Sequence, residues 1–255
     1  MKDGSSASGM INKVIRIGDT IRRPTNRWTP AVHSLLRHLE KAGLSEIPQV
    51  LGLDEDGREI LTFLPGEVAY RPWPEILHGE NGLTQIGTFI RRYHEAVKDF
   101  VPPENIEWHV PDLDWQPGQI IRHGDLGPWN TLWSDGQLSG VIDWDFAEPG
   151  EPLDDVAQFA WHGVPLRGDA VWRKAGFKDA PDVKTRLLAL CTSYGANPVE
   201  VVDSLLRLQT EEIRRIKSLG SNGIEPWKFF RERGDAEETQ EENRWLESNR
   251  RRILG

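Results

Sequence analysis

The chain has 255 residues and a formal charge of -9, with 40 acidic side chains against 31 Lys and Arg. That length allows a sizeable core in one bilobal unit or two small domains. The acidity argues against a nucleic-acid surface and suits a cationic small molecule. Cys191 is the one cysteine, so no intramolecular disulfide forms, and its apolar neighbours suggest a buried residue. No apolar run approaches membrane-spanning length and the start lacks a signal-peptide core, so the chain reads as cytoplasmic with no membrane partner.

In chain order, residues 13–17 and 20–23 read as strands around a Gly18-Asp19 turn, and Pro24 stops the second. Thr29-Pro30 is a helix start, with Thr29 as cap and Val32, Leu35, Leu36 and Leu39 as its apolar stripe; Gly43 ends it. A second hairpin joins 50–54 to 59–64 around Glu55, Asp56 and Gly57, and Pro65-Gly66 marks a change of direction. A helix follows over 83–100, carried by Ile86, Phe89, Ile90 and Val97, with later helices at 154–162, 182–194, 198–218 and 236–253. The last begins acidic and ends basic, which suits the helix dipole, and it reads as a solvated surface helix.

The densest chemistry lies between these helices. His123-Gly124-Asp125 is followed by Asn130, five residues beyond the carboxylate, and then by Asp143 and Asp145 at the end of an apolar run. A carboxylate and an amide at that separation, with a further carboxylate downstream, match the catalytic and magnesium-binding loops of kinases. A hydroxyl needs a carboxylate to take its proton, and magnesium prefers hard oxygen donors. Residues 131–133 and 138–142 read as strands around Asp135-Gly136, a hairpin turn signal. Such a hairpin brings Asn130 and Asp143 side by side at its open end. Trp129 and Trp144, two of the eleven tryptophans, flank the site and are candidates for shaping it.

These residues, with Asp155 opening the next helix, resemble the aminoglycoside phosphotransferase family, itself similar to choline and fructosamine kinases. The resemblance is sharp over 121–161. It implies an α+β, protein-kinase-like bilobal fold with a reduced N-terminal β-sheet lobe (residues 1–66) for nucleotide and a helical C-terminal lobe (67–255) for catalysis and substrate. It implies transfer of the terminal phosphate of ATP or GTP, with Mg2+, to the hydroxyl of a small, possibly cationic molecule of antibiotic or amino-sugar type. Asp125 is then the catalytic base, and Asn130 and Asp143 are magnesium ligands. Asp145 is a further metal ligand or bonds the following loop. His123 packs on the metal loop, and Asp155 ties its helix to the catalytic loop. Glu148, Glu151 and Asp154 are candidates for a cationic acceptor.

In the small lobe the resemblance implies a phosphate-anchoring cation on the strand before the first helix. Arg22 is the candidate and Arg23, facing the other way, the fallback. The partner glutamate expected on that helix is missing, since 30–36 hold no acid. Gly9, within Ser8-Gly9-Met10-Ile11-Asn12, is similar to the family's glycine-rich loop, and a disordered tail is the alternative. The nucleotide base is expected against main chain near Phe63 and Leu64. Two rivals stay open: a non-catalytic relative that binds nucleotide or a toxin, as an immunity or sequestering protein, and a metal-dependent hydrolase built on His123, Asp125, Asp143 and His162.

Overall fold

The computed structural model describes residues 14–255. Gly9 and the loop around it lie outside the described residues. Two hairpins make the first sheet. β1 (Ile15–Ile17) pairs with β2 (Thr20–Arg23), and β3 (Val50–Leu53) with β4 (Glu59–Thr62), in the antiparallel order β1-β2-β4-β3. Asp54 closes the second hairpin by accepting the Asp56 and Arg58 N–H groups on one carboxylate oxygen, an Asx-type turn. Between the hairpins runs α1 (Thr29–Lys41), which buries Ala31, Val32, Leu35, Leu36 and Leu39 along one face. Thr29 lies inside the first turn rather than capping it. Trp28 holds the cap position, and the Thr29 hydroxyl accepts the Asn26 N–H at 2.8 Å.

The rest of the chain is mainly helical. α2 (Glu80–Val97) starts three residues earlier than the apolar stripe suggested. Extended Gly79 precedes it, and Gly82 in its first turn sits where a Cβ would meet the Ile76 carbonyl at 2.5 Å. After β5 (Glu67–Val68), β6 (Ile120–Arg122), β7 (Thr131–Ser134), β8 (Gln137–Val141) and β9 (Glu148–Gly150) come α3 (Leu153–Gly163), α4 (Val171–Lys174) and α5 (Val183–Tyr194). α6 (Pro198–Ser221), α7 (Trp227–Arg233) and α8 (Asp235–Leu254) complete the chain. The expected hairpin forms from β7 and β8. Asp135 and Gly136 both adopt positive φ, 51° and 72°, as a tight primed turn requires. A short β5 adds to β7, and β6 pairs antiparallel with β9. None of these three short strands was foreseen, nor were α4 and α7.

One core runs through the molecule, from Leu35 and Leu36 of α1 through Ile86, Phe89 and Tyr93 of α2 to Leu187 and Leu190 of α5. A satellite of Val110, Ile216, Trp227 and Ala236 lies under α7. The C-terminal helix is not the solvated helix its charge pattern suggested. α8 buries Ala236, Thr239, Leu246 and Ile253, and its Glu242 is 5% exposed. Buried Glu242 accepts hydrogen bonds from Trp161 Nε1 and Arg167 Nε, both at 2.7 Å. A carboxylate so paired fits inside a core that would reject it alone.

Candidate active site

The loop after β6 carries Asp125, and its shape is set by two residues of α3. Asp155, fully buried, accepts the backbone N–H groups of His123 at 2.9 Å and Gly124 at 3.3 Å, and bonds His94 Nε2 at 3.2 Å. Burial pushes its carboxyl up, but the His94 contacts and the loop N–H groups outweigh this and hold it below the usual range. Gln158 clamps the other side, donating to the Gly124 carbonyl at 2.9 Å and accepting the Leu126 N–H at 3.2 Å. Gly124 has φ +78°, and a Cβ there would collide with the Phe146 carbonyl oxygen. Only glycine lets the two halves of the site approach this closely. The expectation that Asp155 ties its helix to this loop agrees with the geometry; Gln158 had gone unnoticed.

Asp125 itself accepts hydrogen bonds from Asn130 Nδ2 at 2.8 Å and Trp129 Nε1 at 3.2 Å. Burial and then the negative charge of Asp143 push its carboxyl up to about 7, with those two donors partly opposing. The amide nitrogen of Asn130 is committed to Asp125, by side chain and by carbonyl, so Oδ1 is the atom it has for a cation. The Ile142 N–H donates to the Asn130 carbonyl at 2.9 Å, continuing the β7–β8 pairing and setting Asn130 beside Asp143. Asp143 adopts the left-handed backbone, φ 62° and ψ 65°, as one of four described non-glycine residues at positive φ. His123 Nε2 lies 3.1 Å from the Ile142 carbonyl, with its ring 4.5 Å from Trp144, so it braces the loop as expected. Trp144 is 1% exposed and belongs to the core; Trp129 alone of the pair touches Asp125.

The small sheet reaches this site through Arg23, not Arg22. Arg23 Nη2 meets Asp145 at 2.7 Å and Nη1 meets Asp143 at 3.3 Å, while Nε meets Glu59 at 2.5 Å. Burial opposes the charge, yet Asp145, Glu59 and Asp143 together hold the guanidinium above its ordinary value. Arg22 turns to the opposite face, donating to the Thr20 hydroxyl at 2.9 Å with Asp54 at 3.8 Å. Alternation along β2 therefore turns Arg23, the fallback candidate, towards the site and Arg22 away from it. The missing helix glutamate has a substitute. Glu59, 1% exposed on β4, holds Arg23 with one oxygen and His33 Nε2 of α1 with the other at 2.7 Å. Glu59 stands directly across from Arg23 in the β2–β4 register, so pairing the two hairpins on paper would have found it.

Burial pushes Asp145 up to about 6 despite Arg23, with Asp143 adding to the shift. One guanidinium thus faces three carboxylates, leaving an excess of negative charge. The donors at hand are oxygens of Asn130, Asp143 and Asp145. That set fits magnesium, which takes few protein ligands and fills its sphere with water and phosphate. Among the described residues no three or more His, Cys, Asp or Glu side chains gather to hold a metal ion. The hydrolase rival also loses its histidines: His162 lies between Trp129 and Trp161, with Nδ1 3.0 Å from Arg167 Nη1.

Of the two residues expected against the nucleotide base, Phe63 already donates its N–H to the Asp19 carbonyl at 2.9 Å, and its ring stacks under Arg16. Leu64 packs over Gly140. On the other side of Asp125 opens a cleft of about 1450 Å3, floored by Gly124, Asp125 and Trp129 and walled by α6, α7 and α8. Glu148 reaches it but is locked between Arg122 and Arg215. Asp154 is buried against Ser204 and Arg207, and neither it nor Glu151 lines the cleft. Among the acids that do line it, Glu212 of α6 is pushed up by burial and has no hydrogen-bonded partner among the described residues. Cys191 is fully buried, which pushes its thiol up to about 12. No described helix is long and apolar enough to cross a membrane.

A phosphotransferase enzyme family model matches residues 105–187. A trifolitoxin immunity protein from Rhizobium leguminosarum bv. trifolii is 35% identical over 191 residues, covering 71% of this chain and 70% of that protein. An amicoumacin kinase solved with AMP-PNP and Ca2+ superposes with a TM-score of 0.56 at 11% identity, covering 78% of each chain. A gentamicin–APH(2″)-IIa complex gives a TM-score of 0.53 at 14% identity over 92% of this chain and 87% of that one. At such identities these two structures speak for the fold, a kinase-like arrangement of N-terminal sheet and helical C-terminal part.

Proposed function

The chain belongs to the aminoglycoside phosphotransferase family, and we propose that it is a cytoplasmic, magnesium-dependent small-molecule kinase using ATP or GTP. The observation that carries this reading is that the loop of Asp125 and Asn130 meets the end of the β7–β8 hairpin at Asp143, where Arg23 of the small sheet joins it, with Asp125 lining a cleft. Residues 1–66 would then serve the nucleotide and 67–255 the acceptor.

In this reading Arg23 turns its Nη atoms from the carboxylates to phosphate oxygens, while Glu59 and His33 keep its Nε end in place. Asn130 and Asp143 would hold magnesium, which supplies charge neutralisation on the phosphates, with Asp145 behind them. Asp125 accepts the proton of the acceptor hydroxyl as its oxygen bonds to the terminal phosphorus. The bridging oxygen leaves with the electron pair on the nucleoside diphosphate. Trp129 and Asn130 fix the carboxylate so that one oxygen remains for the hydroxyl. The test is Asp125→Ala in a phosphoryl-transfer assay over a panel of hydroxylated antibiotics. The variant is expected to lose about 10²–10⁴-fold in kcat while binding nucleotide as the parent does. Unchanged turnover would remove Asp125 from the base role.

A second reading draws on the immunity protein that matches 71% of the chain. Here the same cleft confers immunity by holding a toxin without transfer. It predicts toxin protection that survives Asp125→Ala, whereas the kinase reading predicts its loss.

A further inference from the structure

The cleft beside Asp125 is walled by aromatic rings and ends in an arginine corner. Trp129 donates to Asp125 at 3.2 Å, and its ring meets His162 at 4.7 Å between centroids. His162 stacks on Trp161 at 4.6 Å and bonds Arg167 at 3.0 Å. The wall thus leads without a break from the carboxylate that faces a hydroxyl to Arg167, and Arg71 lines the cleft at the same corner. Arg167 is fully engaged by Glu242 at 2.7 Å and Glu238 at 3.3 Å. Arg71 has no ion pair and no side-chain hydrogen bond among the described residues. Its side chain is exposed at the rim, with the like charge of Arg167 and the acids Glu238 and Glu242 in its surroundings. A guanidinium with unused donors at the end of that wall is free to take an anion with two parallel hydrogen bonds.

We propose that Arg71 is the carboxylate-binding end of the acceptor site, so that the acceptor is a hydroxylated molecule with an apolar or aromatic body and a carboxylate, not a purely cationic sugar. This rests on the kinase reading for the place of the hydroxyl. The hydroxyl lies at Asp125, the body lies along Trp129, His162 and Trp161, and the carboxylate forms a two-pronged pair with Arg71. Free phosphate shares the anionic chemistry but has no body to lie on the wall, and this separates the two sources.

The test is titration calorimetry on the full chain without nucleotide, using N-acetyl-seryl-phenylalanine, the same dipeptide as its C-terminal carboxamide, and inorganic phosphate. The carboxylate form is expected to bind at least tenfold more tightly than the carboxamide. That preference should vanish in Arg71→Gln and persist in part in Arg71→Lys, with melting curves showing both variants folded. Equal binding of the two dipeptides, binding of neither, or a preference that survives Arg71→Gln overturns the proposal. Phosphate bound as tightly as the acid dipeptide overturns it as well, since the corner would then be an unselective anion site. Because no nucleotide is present, failure of phosphoryl transfer leaves this result standing, and transfer to purely cationic acceptors alongside equal dipeptide binding sinks only this proposal.

Discussion

The Asp125 side of the site and the Arg23 side are held by different physics. The loop from His123 to Asp145 is fixed by neutral and charged hydrogen bonds to its own backbone, from Asp155, Gln158 and the β7–β8 hairpin. The Arg23 side is fixed by ion pairs between side chains distant in sequence, 36 residues for Glu59 and 122 for Asp145. A backbone-anchored loop keeps its shape whether or not a ligand is present. An arginine shared among three carboxylates would, in the kinase reading, change partners with its Nη atoms when phosphates arrive.

The contrast can be broken most directly at Asp155. Asp155→Ala leaves the N–H groups of His123 and Gly124 and the His94 ring without their buried partner. At about 1–3 kcal/mol for each of these three groups, the expected loss of stability is about 3–9 kcal/mol. Denaturant unfolding measures it, and a loss under about 1 kcal/mol would mean that the loop is held by something else. On the other side the effect should appear in binding. Arg23→Ala is expected to weaken nucleotide binding about ten- to hundredfold, the worth of a charged hydrogen bond of about 1.5–3 kcal/mol. Arg22→Ala, one residue away on the opposite face, should change it less than about twofold. Equal effects of the two would erase the distinction between the faces of β2.

A smaller effect concerns pH. His109 is buried against Trp28, Phe146 and Trp227, and burial followed by the charge of Arg27 lowers it to about 4. Its folded value lies below its unfolded one of about 6.5, so its stabilisation is complete above pH 6.5 and falls away as pH drops towards 4. Between pH 6.5 and 5 the loss is about 2 kcal/mol from this group. His123 and His162, lowered in the same direction and mainly by burial, steepen the fall. The melting temperature should therefore drop between pH 7 and 5, and by less in His109→Phe. The same slope in both proteins would contradict the assignment.

The same division governs what could be read from the sequence. The loop of Asp125 was legible because its parts are local: Asp125, Asn130, Asp143 and the Asp135-Gly136 turn sit within one hairpin and its lead-in, so spacing alone aligns them. The main helices were legible from their apolar stripes. Arg23 was second choice to Arg22 because two adjacent arginines on a strand differ only in the face they present, and that is settled by pairing with β4. Glu59 was overlooked because the family pattern directs attention to a helix, whereas the acid stands on the neighbouring strand and the helix contributes His33. α8 was misread because its charge pattern suits water, and only the tertiary fold brings Glu242 to Arg167 and Trp161. Glu151 and Asp154 are close to the site in sequence, but the start of α3 turns them away from the cleft.

The measurement that bears most directly on the central claim is titration calorimetry with ATP and with GTP, each with and without magnesium, on the parent chain and on Asp143→Ala. The account predicts nucleotide binding that strengthens with magnesium in the parent and loses that strengthening in the variant. Nucleotide binding indifferent to magnesium in both proteins, or no binding at all, would contradict it and leave the cleft as a site for holding a toxin.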